Sequence, residues 1–207
     1  MKIIFGGSFD PIHIGHLRIA TELSEAFSDR CVDIIPCKNP LHKSQLNVSP
    51  EARLSLIQAA VEGDARLAVN ACELEREGVS DSFTTLSKLS KGGHSPIVMA
   101  IGTDSALGLD SWYKADELAE LCHMVVLKRP DYSSFELEDV FRRLGFEFAS
   151  TVAELEECGA GKVYLLDVTQ LEISSSVIRR KIAQNLSIKY LVPDAVHQII
   201  CNNRLYY

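Results

Sequence analysis

The chain has 207 residues, of which 46% are hydrophobic and 24% are charged. This composition excludes a disordered chain, and the length fits one α/β domain. The 21 Lys and Arg residues against 28 Asp and Glu residues give a net charge of −7 without a basic block, which argues against a nucleic-acid partner. Because the sequence shows no signal-peptide pattern and no apolar run of 18 residues, we expect a soluble, cytoplasmic protein with no membrane partner.

The six cysteines are scattered along the chain. They form no C-x-x-C pair and no Cys/His spacing of the kind that binds a metal. We therefore expect reduced, mostly packed thiols and no protein-bound metal centre. These residues are Cys31, Cys37, Cys72, Cys122, Cys158 and Cys201.

Short strand-like runs alternate with amphipathic helical patterns, which is typical of a parallel sheet covered by helices. In chain order we predict strand 2–5, helix 15–27, strand 32–35, a helix opened by Ser49-Pro50-Glu51, strand 67–69, helix 82–89, strands 97–101 and 124–127, helix 135–144, strand 163–166, and helices 175–184 and 193–201. The predicted fold is α/β: one doubly wound, Rossmann-like parallel sheet with helices on both faces, in a single domain over residues 1–207.

Two of these helices show a clear apolar face at three- and four-residue spacing. For helix 15–27 the face is Leu17, Ala20, Leu23 and Phe27. For the helix after Pro50 it is Leu54, Ile57, Ala60 and Val61. Both faces are expected to pack on the sheet.

The loop after the first strand is the first place to look for a ligand, because doubly wound sheets bind ligands at the carboxyl ends of their strands. Gly6-Gly7 allows the backbone to approach a ligand, and Gly15 begins a helix whose free N–H groups favour an anion. His13 and His16 are three residues apart at that helix start, so both imidazoles can face one phosphate-sized volume. A tight turn with structural histidines is the less favoured alternative. The chain contains neither a P-loop nor a dinucleotide-binding fingerprint.

His13-Ile14-Gly15-His16 resembles the H-x-G-H signature of the nucleotidyltransferase superfamily. The longer stretch resembles the G-G-[ST]-F-D-P-x-H-x-G-H opening of bacterial nicotinate-nucleotide adenylyltransferases. In order and spacing the resemblance covers nearly the whole chain. The further segments are Pro40-Leu41-His42-Lys43, Ile101-Gly102-Thr103-Asp104, Ser111-Trp112-Tyr113, Lys128-Arg129-Pro130, Ile173-Ser174-Ser175-Ser176-Val177-Ile178-Arg179 and Tyr190-Leu191-Val192-Pro193.

The resemblance implies a fold of the nucleotidyltransferase type and an enzyme of NAD biosynthesis. The implied reaction transfers AMP from ATP to nicotinate mononucleotide and gives deamido-NAD and pyrophosphate. The implied cofactor is Mg²⁺, held mainly by the ATP phosphates and water. The sequence favours neither a monomer nor a homo-oligomer.

The resemblance also implies roles for particular residues. His13, His16 and Arg179 would be catalytic, as donors to the reacting phosphates. The implied ATP-binding residues are Gly6, Gly7, Ser8, Phe9, His13, His16, Gly102, Asp104, Ser175, Ser176 and Arg179. For the mononucleotide they are Ser8, Lys43, Thr85 and Trp112, with Trp112 stacked on the pyridine ring and backbone N–H groups near Thr85 facing its carboxylate. Asp104, which would accept ribose hydroxyls, has the alternative role of an N-cap.

The segment from Gly78 to Leu86 departs from the family pattern G-P-S-Y-T-x-D-T-L, because Asp81 replaces tyrosine and Thr84 replaces aspartate. A carboxylate beside the ring would repel nicotinate and tolerate nicotinamide. We therefore expect nicotinate to be preferred by about two orders of magnitude only if Asp81 faces solvent.

Three other functions remain open from the sequence. The nearest is the same reaction on nicotinamide mononucleotide. A phosphopantetheine or cytidylyl type of nucleotidyltransferase is less well supported, because its resemblance stops before Trp112. A catalytically silent nucleotide-sensing module is disfavoured because His13, His16 and Arg179 are all present.

Overall fold

A computed structural model describes residues 1–38, 46–128 and 134–207 of the chain. Within these residues, seven parallel strands form one sheet. The strands are β1 (Lys2–Gly7), β2 (Val32–Pro36), β3 (Leu67–Val69), β4 (Ile97–Gly102), β5 (His123–Lys128), β6 (Glu147–Phe148) and β7 (Lys162–Asp167). The α-helices are α1 (Ile14–Ala26), α2 (Pro50–Val61), α3 (Ser82–Lys91), α4 (Thr103–Leu107), α5 (Ser134–Arg143), α6 (Ser175–Ala183) and α7 (Asp194–Asn202), and short 3₁₀ helices cover Leu109–Ser111, Ala115–Glu120 and Ala153–Glu156.

The strand order is β3-β2-β1-β4-β5-β7-β6. The chain runs outward from β1 to β3 and then returns to place β4 on the other side of β1, where Phe5 lies between Ile34 and Ala100. The winding direction therefore reverses between β1 and β4. Such a switch point leaves a crevice beyond the carboxyl ends of the two strands, because their following connections leave on opposite faces.

Each central strand contributes to two apolar cores, one on each face of the sheet. Ile3 and Phe5 pack on one face with residues of α1, α2, α6 and α7, whereas Ile4 packs on the other face with residues of α3, α4 and α5. This alternation follows from the two-residue period of a strand. The prediction of a doubly wound parallel sheet with helices on both faces is confirmed.

All six predicted strands and all six predicted helices are present, and the differences lie at their ends. β1 continues through Gly6 and Gly7, which pair with Ile35 and Pro36 of β2, so the two glycines belong to the strand and not to the loop. β6 and α4 were not predicted. A strand of two residues and a helix of five are too short to show a hydrophobic period.

Two packing predictions need correction. On α2 the buried face contains Arg53 and Leu56 beside Ile57 and Val61, and Leu54 is only half-buried. The face is therefore rotated toward a fully buried arginine that the apolar pattern did not include. No disulfide joins the six cysteines, all of which lie in the described part of the chain. Cys122 is buried, whereas Cys31, Cys158 and Cys201 are exposed instead of packed.

No helix in the described part of the chain is long and apolar enough to cross a membrane. The longest, α1, has 13 residues, whereas a membrane span needs about 20.

Candidate functional site

Two cavities lie side by side at the switch point. The first, of about 390 Å³, is lined by His13, His16 and Arg179 among others, and we call it the histidine cavity. The second, of about 350 Å³, is lined by Trp112, Glu73 and Asp81 among others, and we call it the tryptophan cavity. The two share a wall made by the ends of β1 and β4, with the residues Phe5, Gly6, Gly7, Ser8 and Gly102.

His13 and His16 hold each other at the start of α1. The N–H of His16 donates to Nδ1 of His13 at 3.3 Å, and the N–H of His13 donates to Nδ1 of His16 at the same distance. The two rings are stacked, with centroids 3.6 Å apart and planes 20° apart. His13 is thus the N-cap of α1, and the pair forms a reciprocal capping box built from imidazoles.

This arrangement determines which nitrogen carries the proton. A backbone N–H can only donate, so both Nδ1 atoms must be acceptors, and each neutral ring carries its proton on Nε2. Burial lowers the pKa of His13 to about 4, because a charged imidazolium is disfavoured away from water. Near neutral pH His13 is therefore an uncharged donor.

Neighbouring residues fix the histidine pair from behind. The ring of Phe9 is buried and meets the ring of His16 edge-on, with the two ring centroids 5.0 Å apart. The backbone of Phe9 has a φ of 44°. A Cβ on Gly7 would lie 2.9 Å from the Phe9 ring, and one on Gly15 would lie 3.1 Å from the His13 ring. Gly7 and Gly15 are therefore required by close packing of rings, whereas a Cβ on Gly6 would meet nothing within 4 Å.

The predicted free amides of α1 are fewer than expected. The N–H of Ile14 donates to the Leu191 carbonyl, and that of His16 is taken by His13. The imidazoles are thus the principal donors at this helix end. The start of α6 provides the second group of donors, since Ser175 and Ser176 occupy its first two positions, where N–H groups have no acceptor within the helix.

Arg179 reaches back from α6 to the β1–α1 loop. One of its terminal nitrogens donates to the Asp10 carbonyl at 2.6 Å, and the other donates to Oγ of Ser176 at 3.3 Å. Ser175 Oγ donates to the Pro11 carbonyl at 2.8 Å. The structure therefore brings together His13, His16, Ser175, Ser176 and Arg179 around one cavity, as the sequence predicted.

The tryptophan cavity combines aromatic and acidic walls. Trp112 is half-buried. Part of its surface packs against the apolar core that contains Ile4, and another part lines the cavity. Glu73 accepts a hydrogen bond from Oγ1 of Thr85 at 2.7 Å, and burial raises the pKa of Glu73. Asp81 is the N-cap of α3, with its side chain only 14% exposed.

Two predictions need correction here, for Thr85 and for Asp104 as an N-cap, and the condition set on Asp81 is not met. The side chain of Thr85 is buried and its N–H donates to the Asp81 carbonyl, so Ser82 lines the cavity in its place. Asp81 does not face solvent: most of its side chain is buried, and its carboxylate accepts from the N–H of Thr84 at 2.7 Å. Asp104 is exposed, and the N-cap of α4 is Gly102 instead.

Some of the predicted residues lie outside the described part of the chain. These include His42 and Lys43, with Arg129 and Pro130. Beside the first gap, Nζ of Lys38 donates to the Arg76 carbonyl at 3.0 Å, and its N–H donates to Oγ of Ser80 at 2.8 Å. This places a cation near the tryptophan cavity.

Sequence reasoning missed Glu73 and Arg53. No motif identifies Glu73, which enters the cavity from an irregular segment between β3 and α3. Arg53 carries a signal, because it is three and four residues before Leu56 and Ile57 and so lies on the buried stripe of α2. Among the described residues, no three His, Cys, Asp or Glu side chains are grouped so that they could hold a metal ion.

Chemically, the site pairs an anion-binding cavity with an aromatic one across a glycine-rich wall. The first offers neutral imidazole N–H groups, a guanidinium and helix-start amides, which suit a polyphosphate. The second offers a ring face and hydrogen-bonding side chains, which suit a flat heterocycle. The arrangement can hold two molecules with their reacting groups meeting at Gly6, Gly7 and Ser8.

Comparisons with known proteins agree with this geometry. Residues 4–181 match the family model described as cytidylyltransferase-like. The chain is 38% identical over 205 residues to a probable nicotinate-nucleotide adenylyltransferase of Methylococcus capsulatus, covering 98% of each chain, and 37% identical over 207 residues to one of Hahella chejuensis, covering 99% and 94%. Its fold matches Plasmodium falciparum nicotinic acid mononucleotide adenylyltransferase, solved with NaAD, at a TM-score of 0.75 and 18% identity, covering 100% of this chain and 98% of that one.

Proposed function

The chain belongs to the nicotinate-nucleotide adenylyltransferase family, and we propose that it transfers AMP from ATP to nicotinate mononucleotide, giving deamido-NAD and pyrophosphate. One observation carries the proposal beyond the relatives' names. Two cavities of different chemistry, one lined by phosphate donors and one by an aromatic ring, meet at the ends of β1 and β4.

In this proposal the ATP phosphates occupy the histidine cavity and the mononucleotide occupies the tryptophan cavity. Trp112 stacks on the cationic pyridine ring, an attraction of the cation–π kind. The α-phosphate of ATP then lies beside the shared wall, where Gly6 has no side chain to obstruct an incoming phosphate. The site thus holds the attacking and leaving groups in line.

The nucleophile is the phosphate of the mononucleotide, which is already deprotonated at neutral pH, so the reaction needs no general base. An oxygen of this phosphate attacks the α-phosphorus, and the bond from that phosphorus to the bridging oxygen of pyrophosphate breaks. Nε2–H groups of His13 and His16 donate to the oxygens on which charge develops, and Arg179 binds the leaving pyrophosphate. Each such preorganised donor typically lowers the barrier by about 3 kcal/mol.

The cofactor in this proposal is Mg²⁺, bound by the ATP phosphates and water. The residues fit this role, because the described lining of the histidine cavity supplies neutral or cationic donors to phosphate and contains no carboxylate, so phosphate oxygens and water would be the metal's ligands. When bound, Mg²⁺ would neutralise part of the polyphosphate charge. The use of ATP as a substrate and the reduced thiols of this chain both favour the cytoplasm as its compartment.

Nicotinamide mononucleotide is a second candidate substrate. Glu73 and Asp81 both line the tryptophan cavity, so an uncharged carboxamide meets less repulsion there than a carboxylate does. The nearby cations of Lys38 and Arg76 oppose this effect. We therefore expect both bases to be accepted, with nicotinate ahead by less than the two orders of magnitude that a solvent-facing Asp81 would allow.

The direct test is pyrophosphate release from ATP with each mononucleotide. We expect release to depend on the mononucleotide and turnover to fall about a hundredfold or more in His16→Ala, because that variant loses a donor to the transition state. Binding of ATP should persist, since most ground-state contacts remain.

His94→Ala serves as the matched control, because His94 is exposed and lies outside both cavities. It should retain wild-type turnover. A folded His16→Ala variant with near-normal turnover would exclude His16 as a donor. Absence of release with every mononucleotide would exclude adenylyl transfer to pyridine nucleotides.

A further inference from the structure

A buried polar cluster lies beneath the β1–α1 loop, outside the two cavities. It contains Asp10 from the loop, Arg53 from α2 and Tyr206 from the C-terminal segment, and it contacts Arg179 of α6. Asp10 is 2% exposed and Arg53 is fully buried. Buried charges cost free energy unless they are paired, so such a cluster needs a reason.

Asp10 connects three parts of the molecule. Its Oδ2 accepts from the backbone N–H of Asn47 at 3.0 Å and from the Asn47 side chain at 2.7 Å, which ties the loop to the approach to α2. The same oxygen is 3.8 Å from the Arg179 guanidinium, which also donates to the Asp10 carbonyl. A shift of Asp10 would therefore move Arg179 in the histidine cavity.

Arg53 holds the other side of the loop. One terminal nitrogen donates to the Ser8 carbonyl at 2.8 Å, and the second is 3.5 Å from the Lys38 carbonyl. Ser8 belongs to the wall that the two cavities share. The guanidinium thus links that wall to the segment that follows β2. The planar fork of arginine permits both contacts at once, whereas a lysine ammonium does not.

Tyr206 closes the cluster from the C-terminal end. Its ring packs against the core, and burial together with the adjacent Asp10 carboxylate raises the pKa of its hydroxyl. Its backbone has a φ of 69°, which is strained for an aromatic residue and persists only where the surroundings enforce it. Three buried atoms, Asp10 Oδ1, Arg53 Nε and Tyr206 Oη, have no hydrogen-bond partner among the described residues.

We propose that Asp10 and Arg53 are positioning residues for phosphate binding. The inference rests on the proposed adenylyl transfer. Asn47 orients the Asp10 carboxylate, Asp10 orients Arg179, and Arg53 fixes Ser8. Unpaired polar atoms remain in this cluster because its residues are arranged to hold the loop in its binding conformation, at a cost to stability.

The test compares Asp10→Asn and Arg53→Lys with the wild type, each checked by thermal melting. Asp10→Asn keeps the size and shape of the side chain and is therefore the variant less able to prevent folding. We expect about a tenfold loss of kcat/KM for ATP in both variants. The KM for the mononucleotide should be unchanged in Asp10→Asn and raised in Arg53→Lys, because Ser8 also lines the tryptophan cavity. Affinity for a non-hydrolysable ATP analogue, measured by calorimetry, should fall in parallel.

A double-mutant cycle separates positioning from general destabilisation. In an Arg179→Lys background, Asp10→Asn should change the analogue's affinity less than about twofold, because the residue through which it acts is already altered. Additive losses would overturn the proposal, as would wild-type ATP affinity in a folded Asp10→Asn.

Asp33→Asn is the matched control. Asp33 is 4% exposed, pairs with Lys2 at 2.6 Å and accepts from Asn70 at 2.9 Å, but it lies outside both cavities. It should lower the melting temperature without changing ATP affinity, and an equal loss of affinity in this variant would show that the effect is only structural. If the wild type released no pyrophosphate, the proposed function would fail, whereas analogue binding would still test the positioning of Arg179.

Discussion

At the scale of single residues, the His13–His16 pair explains how a histidine can be a reliable donor at neutral pH. A charged imidazolium would be a stronger donor. In water, however, the pKa of a histidine is about 6.5, so most of its population would be uncharged at neutral pH. The backbone N–H of each residue occupies Nδ1 of the other, so the neutral tautomer already presents Nε2–H. Burial then prevents protonation of His13 over the physiological range.

The same burial predicts how stability depends on pH. The pKa of His13 is about 4 in the folded protein, below the value of about 6.5 for an unfolded chain. The unfolded state therefore binds the proton first, and the stability that His13 contributes is complete above pH 6.5 and is lost as the pH falls toward 4. The difference corresponds to at most about 3 kcal/mol.

His13→Asn isolates this effect, because asparagine is a good N-cap that does not titrate. Urea unfolding of both proteins at pH 7.0, 5.5 and 4.5 should show that the wild type loses stability faster than the variant on acidification. The other titratable groups are common to both proteins, so their contributions cancel. Parallel losses would mean that His13 is readily protonated in the folded state.

At the scale of elements, the N-terminus of α3 connects helix capping with substrate choice. Asp81 accepts from the N–H of Thr84 at 2.7 Å and lies 3.7 Å from the Arg76 guanidinium, while lining the tryptophan cavity. Asp81→Asn keeps a capping side chain and removes only the charge. We expect kcat/KM for nicotinate mononucleotide, relative to nicotinamide mononucleotide, to rise about three- to tenfold, because one repulsive charge is lost beside the ring carboxylate.

Steady-state kinetics with both mononucleotides measures this ratio, and circular dichroism checks that α3 is retained. Asp194→Asn is the control, since Asp194 is an exposed residue in the first turn of α7, outside both cavities. It should leave the ratio unchanged. A ratio that does not move in Asp81→Asn would place the pyridine ring away from α3.

The elements also show what a sequence can predict. Strand and helix periods located β1, β4 and α6, and the glycines and histidines located the histidine cavity, because those features are local in the chain. The contact of Glu73 with Thr85 and that of Arg53 with Ser8 could not be found in this way, since they join residues distant in sequence. The misplacement of Thr85 has a similar cause: the pattern identified the right helix but not which of its residues faces the cavity.

At the scale of the whole molecule, the order of the strands creates the site. β1 and β4 are neighbours in the sheet although two strands separate them in sequence, and their connections leave toward opposite faces. The crevice between these connections is divided into two cavities by the strand ends themselves. Gly6 and Gly102 belong to this dividing wall, and a Cβ on either would meet nothing within 4 Å.

This geometry predicts that Gly6→Ala damages function without damaging the fold. Gly6 pairs with Ile35 in the sheet, its φ is not positive, and a methyl group there would project into open space. Alanine is also better than glycine in a strand by roughly 0.5–1 kcal/mol, so the melting temperature should stay the same or rise slightly. The methyl group would nevertheless occupy the wall where the two substrates meet, and we expect kcat/KM to fall about tenfold or more for ATP and for the mononucleotide alike.

Gly159→Ala provides the control, because Gly159 is exposed and a Cβ there would make only an ordinary contact with Oγ of Ser95 at 3.5 Å. It should change neither melting temperature nor kinetics. Parallel losses for both substrates in Gly6→Ala would support a reaction centre at the shared wall, since a methyl group inside one cavity would affect one substrate only. A fall in kcat/KM for ATP alone would indicate that the phosphates react inside the histidine cavity. Unchanged kinetics would mean that the substrates do not meet at β1.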